Sequence, residues 1–171
     1  SKEIELIHLK FCKSLLNVKT TFSNMGVYGE LGRYPSYINR YTRIIKFWCK
    51  IVSSSNLLIE KMYYYFCECN VKRNNWAYQV KYLLDCYGFS YVWNNPFCVD
   101  LNSFHIFFKE RVIDTFKQNW NQRLQECGTL DIYKKCKTVF EFENYLDVLP
   151  FKLRSNVSKL RLASHKLAIE T

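Results

Sequence analysis

Breakers are scarce in this chain of 171 residues, which holds five glycines and three prolines. That scarcity argues against many short strands joined by turns and favours long helices. No apolar run approaches the roughly 20 residues that span a bilayer, and there is no signal peptide. A Gly-rich phosphate loop, a Gly-x-Ser-x-Gly elbow and a closely spaced carboxylate pair suited to two metals are all missing. Histidine occurs only at positions 8, 105 and 165, far apart and outside any recognisable motif, so general acid–base catalysis has no candidate. Acid is missing from two long windows, residues 31–59 and 148–169.

Cysteine is not scarce: eight residues stand at 12, 49, 67, 69, 86, 98, 127 and 136. Cys67-Glu-Cys69 with Cys86 and Cys98 lacks the paired Cys-x-x-Cys spacing of zinc knuckles, and no histidine lies near. The thiols therefore read as reduced and buried in an intracellular protein, with no metal and no cofactor expected. Hydrophobic residues make up 49% of the chain and aromatics 18%, enough for a sizeable core in one domain over residues 1–171. Lys plus Arg number 25 against 15 for Asp plus Glu, a formal charge of +10. An excess of that size points to an anionic partner, nucleic acid before membrane surface. The chain opens Ser1-Lys2-Glu3 without an initiator Met and closes at Glu170-Thr171, as a piece cut from a longer polypeptide would.

Periodicity predicts about seven helices and no strand, an all-α bundle. Residues 3–17 place Ile4, Ile7, Phe11, Leu15 and Leu16 on one stripe, expected to be buried. Residues 17–24 read as a loop, and Gly29, Gly32 and Pro35 as a compact turn, with Pro35 opening the next helix. Residues 35–52 put Tyr37, Tyr41, Ile44, Ile45, Trp48, Ile51 and Val52 on one side and Arg40, Arg43, Lys46 and Lys50 on the other. Asn56 caps a helix over 57–69 that is apolar nearly all round and so expected to be central. A further helix over 76–87 starts at an asparagine cap, 74 or 75, and stops at Gly88. Residues 89–99 look loop-like, and Asp100 caps the longest helix, 101–126, about 39 Å in length. Thr138 and Glu141 form a capping-box pattern for a helix over 138–149. The last helix runs from Pro150 or Phe151 to about Ser164 and is expected to bury Leu153, Val157 and Leu160.

Two acid-free basic surfaces follow from that register. The first comprises Arg40, Arg43, Lys46 and Lys50, with Arg33 just before it. The second lies on the last helix, where Lys152, Lys159 and Lys166 recur at intervals of seven on one shoulder, beside Arg154 and Arg161 on the other. His165, next to Lys166, suits a phosphate contact better than a general base. Clustered cations without neighbouring acids are what phosphate neutralisation with counterion release requires.

Two segments resemble the region downstream of the polymerase in LINE-type (non-LTR) retrotransposon endonuclease–reverse transcriptases. One is His8-Leu-Lys-Phe-Cys-Lys-Ser-Leu-Leu-Asn-Val-Lys19 followed by the signature Tyr28-Gly-Glu-Leu-Gly-Arg-Tyr-Pro35. The other is Tyr145-Leu-Asp-Val-Leu-Pro-Phe-Lys-Leu-Arg154 with Lys159-Leu-Arg-Leu-Ala-Ser-His-Lys-Leu-Ala-Ile-Glu-Thr171, which in that family runs on toward a Cys/His zinc knuckle. The family's polymerase carboxylates, endonuclease residues and knuckle have no counterpart in this chain, so the resemblance implies no enzyme. It implies an accessory domain that helps hold template RNA or target DNA beside the polymerase, in the nucleus with the element's ribonucleoprotein. The partners would then be RNA or DNA and the remainder of the polyprotein. The competing expectation is a structural or protein-interaction module that packs on the polymerase thumb and positions the downstream knuckle.

Overall fold

Ten α-helices and two short 3-10 turns make up the regular structure of the described residues, which carry no strand beyond one isolated bridge between Leu31 and Phe142. The structure, a computed structural model, describes residues 2–68 and 75–162. In order the helices are α1 (Lys2–Leu16), α2 (Asn24–Glu30), α3 (Ser36–Val52), α4 (Leu57–Glu68), α5 (Trp76–Cys86), α6 (Ser90–Asn94), α7 (Leu101–Glu126), α8 (Asp131–Cys136), α9 (Tyr145–Val148) and α10 (Phe151–Arg161). The all-α expectation is met with more and shorter helices than seven. The chain divides into two compact units, one of Ser1–Ser36 with Thr115–Thr171, the other of Tyr37–Asp114.

Local signals set several boundaries as expected. The Asp100 carboxylate accepts a hydrogen bond from the backbone N–H of Asn102 at 3.1 Å and opens α7. Asn75 caps α5 through the Ala77 N–H at 2.9 Å, and Asn56 caps α4 through the Leu58 N–H at 2.9 Å. Gly88 takes φ +81°, which ends α5 in the left-handed region where a side chain would be strained.

In the first unit the core gathers Cys12, Leu16, Val27, Tyr28, Leu31, Trp120, Leu124, Leu130, Tyr133, Phe140, Leu146 and Leu162. The glycine-punctuated region is a helix rather than a bare turn, and its glycines are contact points. A Cβ on Gly29 would lie 2.6 Å from Tyr133 Oη and 2.7 Å from Trp120 Cζ2. Hydrogen bonds fasten the same approach: Trp120 Nε1 donates to the Met25 carbonyl at 2.9 Å, and Tyr133 Oη to the Gly26 carbonyl at 3.2 Å. Gly32, at φ +55°, lets the backbone of Phe142 come so near that a Cβ would stand 2.4 Å from its nitrogen.

Three expectations about buried faces are corrected. On α1 the stripe of Ile4, Ile7, Phe11 and Leu15 is exposed, while Cys12, Lys13 and Leu16 go inside. Hydrogen bonding selects that face: Lys13 Nζ donates to the carbonyls of Thr20 at 2.6 Å and Phe22 at 2.8 Å. Glu5, on the same side, accepts hydrogen bonds from Tyr28 Oη and from the N–H and hydroxyl of Ser36, at the start of α3. On α10 the buried residues are Ser155 and Ser158, with Leu153 and Leu160 exposed. Small hydroxyls let this helix lie close to its neighbours and bond to them, Ser155 with Asn17 at 2.9 Å and Ser158 with Tyr145 at 2.8 Å.

The third correction is α4, which buries no residue; Leu57 and Leu58 are 63% and 67% exposed. Its half-buried Tyr63 and Cys67 face inward, and the rest of its apolar surface does not. The second unit's core lies elsewhere, in Ile38, Ile45 and Trp48 of α3, Val80 and Leu84 of α5, Val92, and Phe104, Phe108 and Val112 of α7.

The expected helix over 138–149 is reduced to α9, and α8 forms earlier, at 131–136. Thr138 and Glu141 make no capping box. The chain there is drawn out so that the Glu143 N–H reaches the Glu30 carbonyl at 3.2 Å and Phe142 bridges Leu31. Residues 89–99, expected as loop, contain α6 and a 3-10 turn at Pro96–Cys98. None of the helices among the described residues is long and apolar enough to cross a membrane.

Candidate nucleic-acid interface

α3 forms because its apolar residues recur at helical spacing: Ile38, Ile45, Trp48 and Cys49 are buried, with Tyr41, Ile44, Ile51 and Val52 half-buried beside them. That orientation leaves Arg40, Arg43, Lys46 and Lys50 exposed. At 100° per residue the four lie within an arc of about 120° and along roughly 15 Å of helix axis. None of the four makes an ion pair among the described residues. Arg40 rests its guanidinium 5.3 Å from the ring centre of Tyr41, which holds the head group without neutralising it. Phe47, which helical spacing places close to the basic side, is exposed and meets Trp76 edge-on at 5.6 Å.

Adjacent cations on this helix repel. Arg40 and Arg43, and Arg43 and Lys46, stand at i,i+3; Lys46 and Lys50 stand at i,i+4. Each such pair costs the helix about 0.2–0.5 kcal/mol, and no acid on the face offsets it. The arrangement is unfavourable for the isolated fold and favourable for meeting a row of phosphates.

The other expected residues divide. Arg33 is exposed in the first unit, its guanidinium 5.8 Å from the ring centre of Phe11. On α10 Lys152 is exposed and Lys159 half-buried, neither ion-paired among the described residues. Arg154 is turned inward, donating from Nη1 to the Leu146 carbonyl at 3.1 Å. Arg161 is engaged inside the unit. Its Nε sits 2.8 Å from Glu30 Oε1 and its Nη2 is 3.1 Å from Glu143 Oε1. The Nε contact is not aligned as a hydrogen bond, so it is an attraction of charges; the aligned bond to Glu30 comes from Nη2 at 3.4 Å. His165 and Lys166 lie outside the described residues. The four α3 cations therefore share one face, whereas the expected double shoulder on α10 is thinned to its lysines.

Sequence reasoning missed the polar network that claims Arg161. Glu30 is fully buried, accepting from Tyr145 Oη at 2.5 Å, while Glu143 takes the ammonium of buried Lys137 at 2.5 Å. Burial pushes the Glu30 carboxyl above its usual range against the pull of Tyr145 and Arg161. Burial works against the Arg161 guanidinium too, but Glu30 and Glu143 outweigh it and hold its pKa above the usual value. Glu30 lies inside the Tyr28–Pro35 signature and is the last acid before a long basic window, the one sign in the sequence that it has a fixed counterion. Searches against protein-family models, curated proteins and solved structures returned nothing that matches this chain.

Proposed function

We propose that this chain is a non-catalytic nucleic-acid-binding domain, which grips an RNA or DNA backbone through the exposed cations of α3. The observation that carries this reading is the exposed, acid-free face of Arg40, Arg43, Lys46 and Lys50, maintained against its own repulsion. Phosphates relieve that repulsion and release condensed counterions as they bind. Contacts of this kind set orientation and affinity but read no bases, so binding is weakly sequence-specific. Arg33, Lys152 and Lys159 add positive charge in the first unit. In keeping with the resemblance of the Tyr28–Pro35 and Leu149–Arg154 segments, the domain would serve a non-LTR retrotransposon reverse transcriptase by holding template RNA or target DNA. Fluorescence anisotropy with single-stranded RNA and duplex DNA at two salt concentrations tests it. Affinity should fall steeply with salt, and undetectable or salt-independent binding refutes it.

A second reading has support of its own. Ile7, Phe11 and Leu15 on α1, Leu57, Leu58 and Met62 on α4, and Leu153 and Leu160 on α10 are exposed apolar side chains on three helices. Surfaces of that kind mark protein contacts. On this reading the chain packs against other parts of the polyprotein and positions a downstream zinc knuckle. Pull-down by the polymerase region that survives high salt and loss of the α3 cations would favour it.

A further inference from the structure

The second unit contains a pocket of about 480 Å³, within the range of pockets that hold small ligands. Four aromatic side chains line it: Tyr63 and Tyr64 of α4, Trp93 of α6, and Phe97 of the following 3-10 turn. Glu60, one turn before Tyr63 and Tyr64, is the only lining residue among those described that carries a charge. In a protein of net charge +10 that combination is selective, because the walls offer π-faces and a carboxylate but no cation.

The rings are inclined to one another. Tyr63 and Trp93 have centres 6.3 Å apart and planes 66° apart, and Tyr63 and Tyr64 have centres 5.9 Å apart and planes 54° apart. A flat base needs two parallel walls, which neither of these adjacent pairs provides. A rounded cation fits a corner of inclined π-faces and is attracted to each ring within about 6 Å. Two walls are fixed in advance. Trp93 stacks at 21° on the fully buried indole of Trp48, whose Nε1 also donates to Tyr63 Oη at 3.2 Å. Phe97, 75% exposed, stands at the rim.

We propose that this pocket is an aromatic cage for a methylated ammonium group, with Glu60 as its counter-charge. The group can be carried by a trimethylated lysine side chain or by a small quaternary amine. This site is independent of the α3 cations.

Titration calorimetry on the whole chain tests it with four probes: choline, a trimethyllysine peptide, the same peptide unmethylated, and 3,3-dimethylbutanol, the neutral isostere of choline. Choline or the trimethyllysine peptide should bind at least about tenfold more tightly than its uncharged or unmethylated counterpart. A tighter peptide identifies a protein side chain as the source, and tighter choline a small amine. Phe97→Ala and Tyr64→Ala remove exposed rings without touching the core, and each should weaken binding about fivefold to thirtyfold, with melting unchanged. Glu60→Gln should weaken the charged probes alone. The proposal is overturned if dimethylbutanol equals choline, if both ring variants bind as well as the parent, or if neither methylammonium probe binds at millimolar concentration. Preferential binding of a nucleoside monophosphate would overturn it in favour of a base slot.

Discussion

Replacing Arg40, Arg43, Lys46 and Lys50 by glutamine removes the whole α3 face while keeping polar side chains of similar reach. If all four meet phosphates of a duplex, log affinity falls with log salt at a slope of about −3.6 from this face alone, or about −2.8 on a single strand. Each contact then strengthens duplex binding about eightfold between 1 M and 0.1 M salt, and four together by roughly four-thousandfold. The quadruple variant should lose that factor at low salt and converge with the parent near 1 M. Its fold should not suffer. The face has three like-charge pairs, each costing about 0.2–0.5 kcal/mol, so the variant should melt at the same temperature or slightly higher. The control removes equal charge from exposed Lys61, Lys109, Lys117 and Arg123. Anisotropy titrations across four salt concentrations give both slopes. Equal loss of slope in the two variants would mean that net charge rather than α3 binds the polyanion. An unchanged slope in the α3 variant would refute the interface outright.

Other perturbations probe the frame that carries these residues. Gly29→Ala drives a methyl against Tyr133 and Trp120 and should destabilise by about 1–3 kcal/mol in denaturant titrations followed by tryptophan fluorescence. Gly128→Ala, whose Cβ would meet nothing within 4 Å, should be neutral or mildly stabilising. Arg161→Met removes the ion partner of buried Glu30, a loss of about 3–5 kcal/mol, much of which Glu30→Gln in the same chain should restore. Glu5 supplies a pH signature. Burial raises its pKa, but the Ser36 and Tyr28 hydrogen bonds, with His8 nearby, outweigh burial and leave it below the usual 4.5. Its contribution to stability is therefore complete above pH 4.5 and lost as pH falls through the lower folded value. Glu5→Gln should flatten the acid limb of stability against pH, and an unchanged limb would show that the clasp does not matter.

What could be read from residues alone was wherever apolar spacing and burial coincide. Leu101, Phe104, Phe108, Val112, Phe116, Trp120 and Leu124 recur at helical spacing along α7 and all but the half-buried Phe116 are buried, and the α3 cations followed from the apolar residues opposite them. Reading failed where polar groups go inside. Glu5, Lys13, Ser155 and Ser158 satisfy their hydrogen bonds with groups outside their own helices, and periodicity sees only their polarity. So α1 and α10 were turned the wrong way round, and with α10 went the assumption that Arg154 and Arg161 point outward. The helix over 138–149 failed for a related reason. Its capping pattern is local, whereas the Glu143 N–H on the Glu30 carbonyl and Phe142 against Gly32 are tertiary contacts that outcompete it. Helix α4 misled because a surface apolar all round ordinarily signals burial.

The division of the chain has a consequence for the moment of its making. Residues Tyr37–Asp114 are continuous and leave the ribosome together, whereas the first unit needs both Ser1–Ser36 and Thr115–Thr171. Until Arg161 is translated, Glu30 has no guanidinium to meet and Ser158 cannot reach Tyr145. At about 5–20 residues per second the α1–α2 segment waits several seconds after residue 114 for its remaining partners. The nascent chain passes through an interval in which the unit bearing the α3 cations is complete in sequence while the flanking unit is still half a structure.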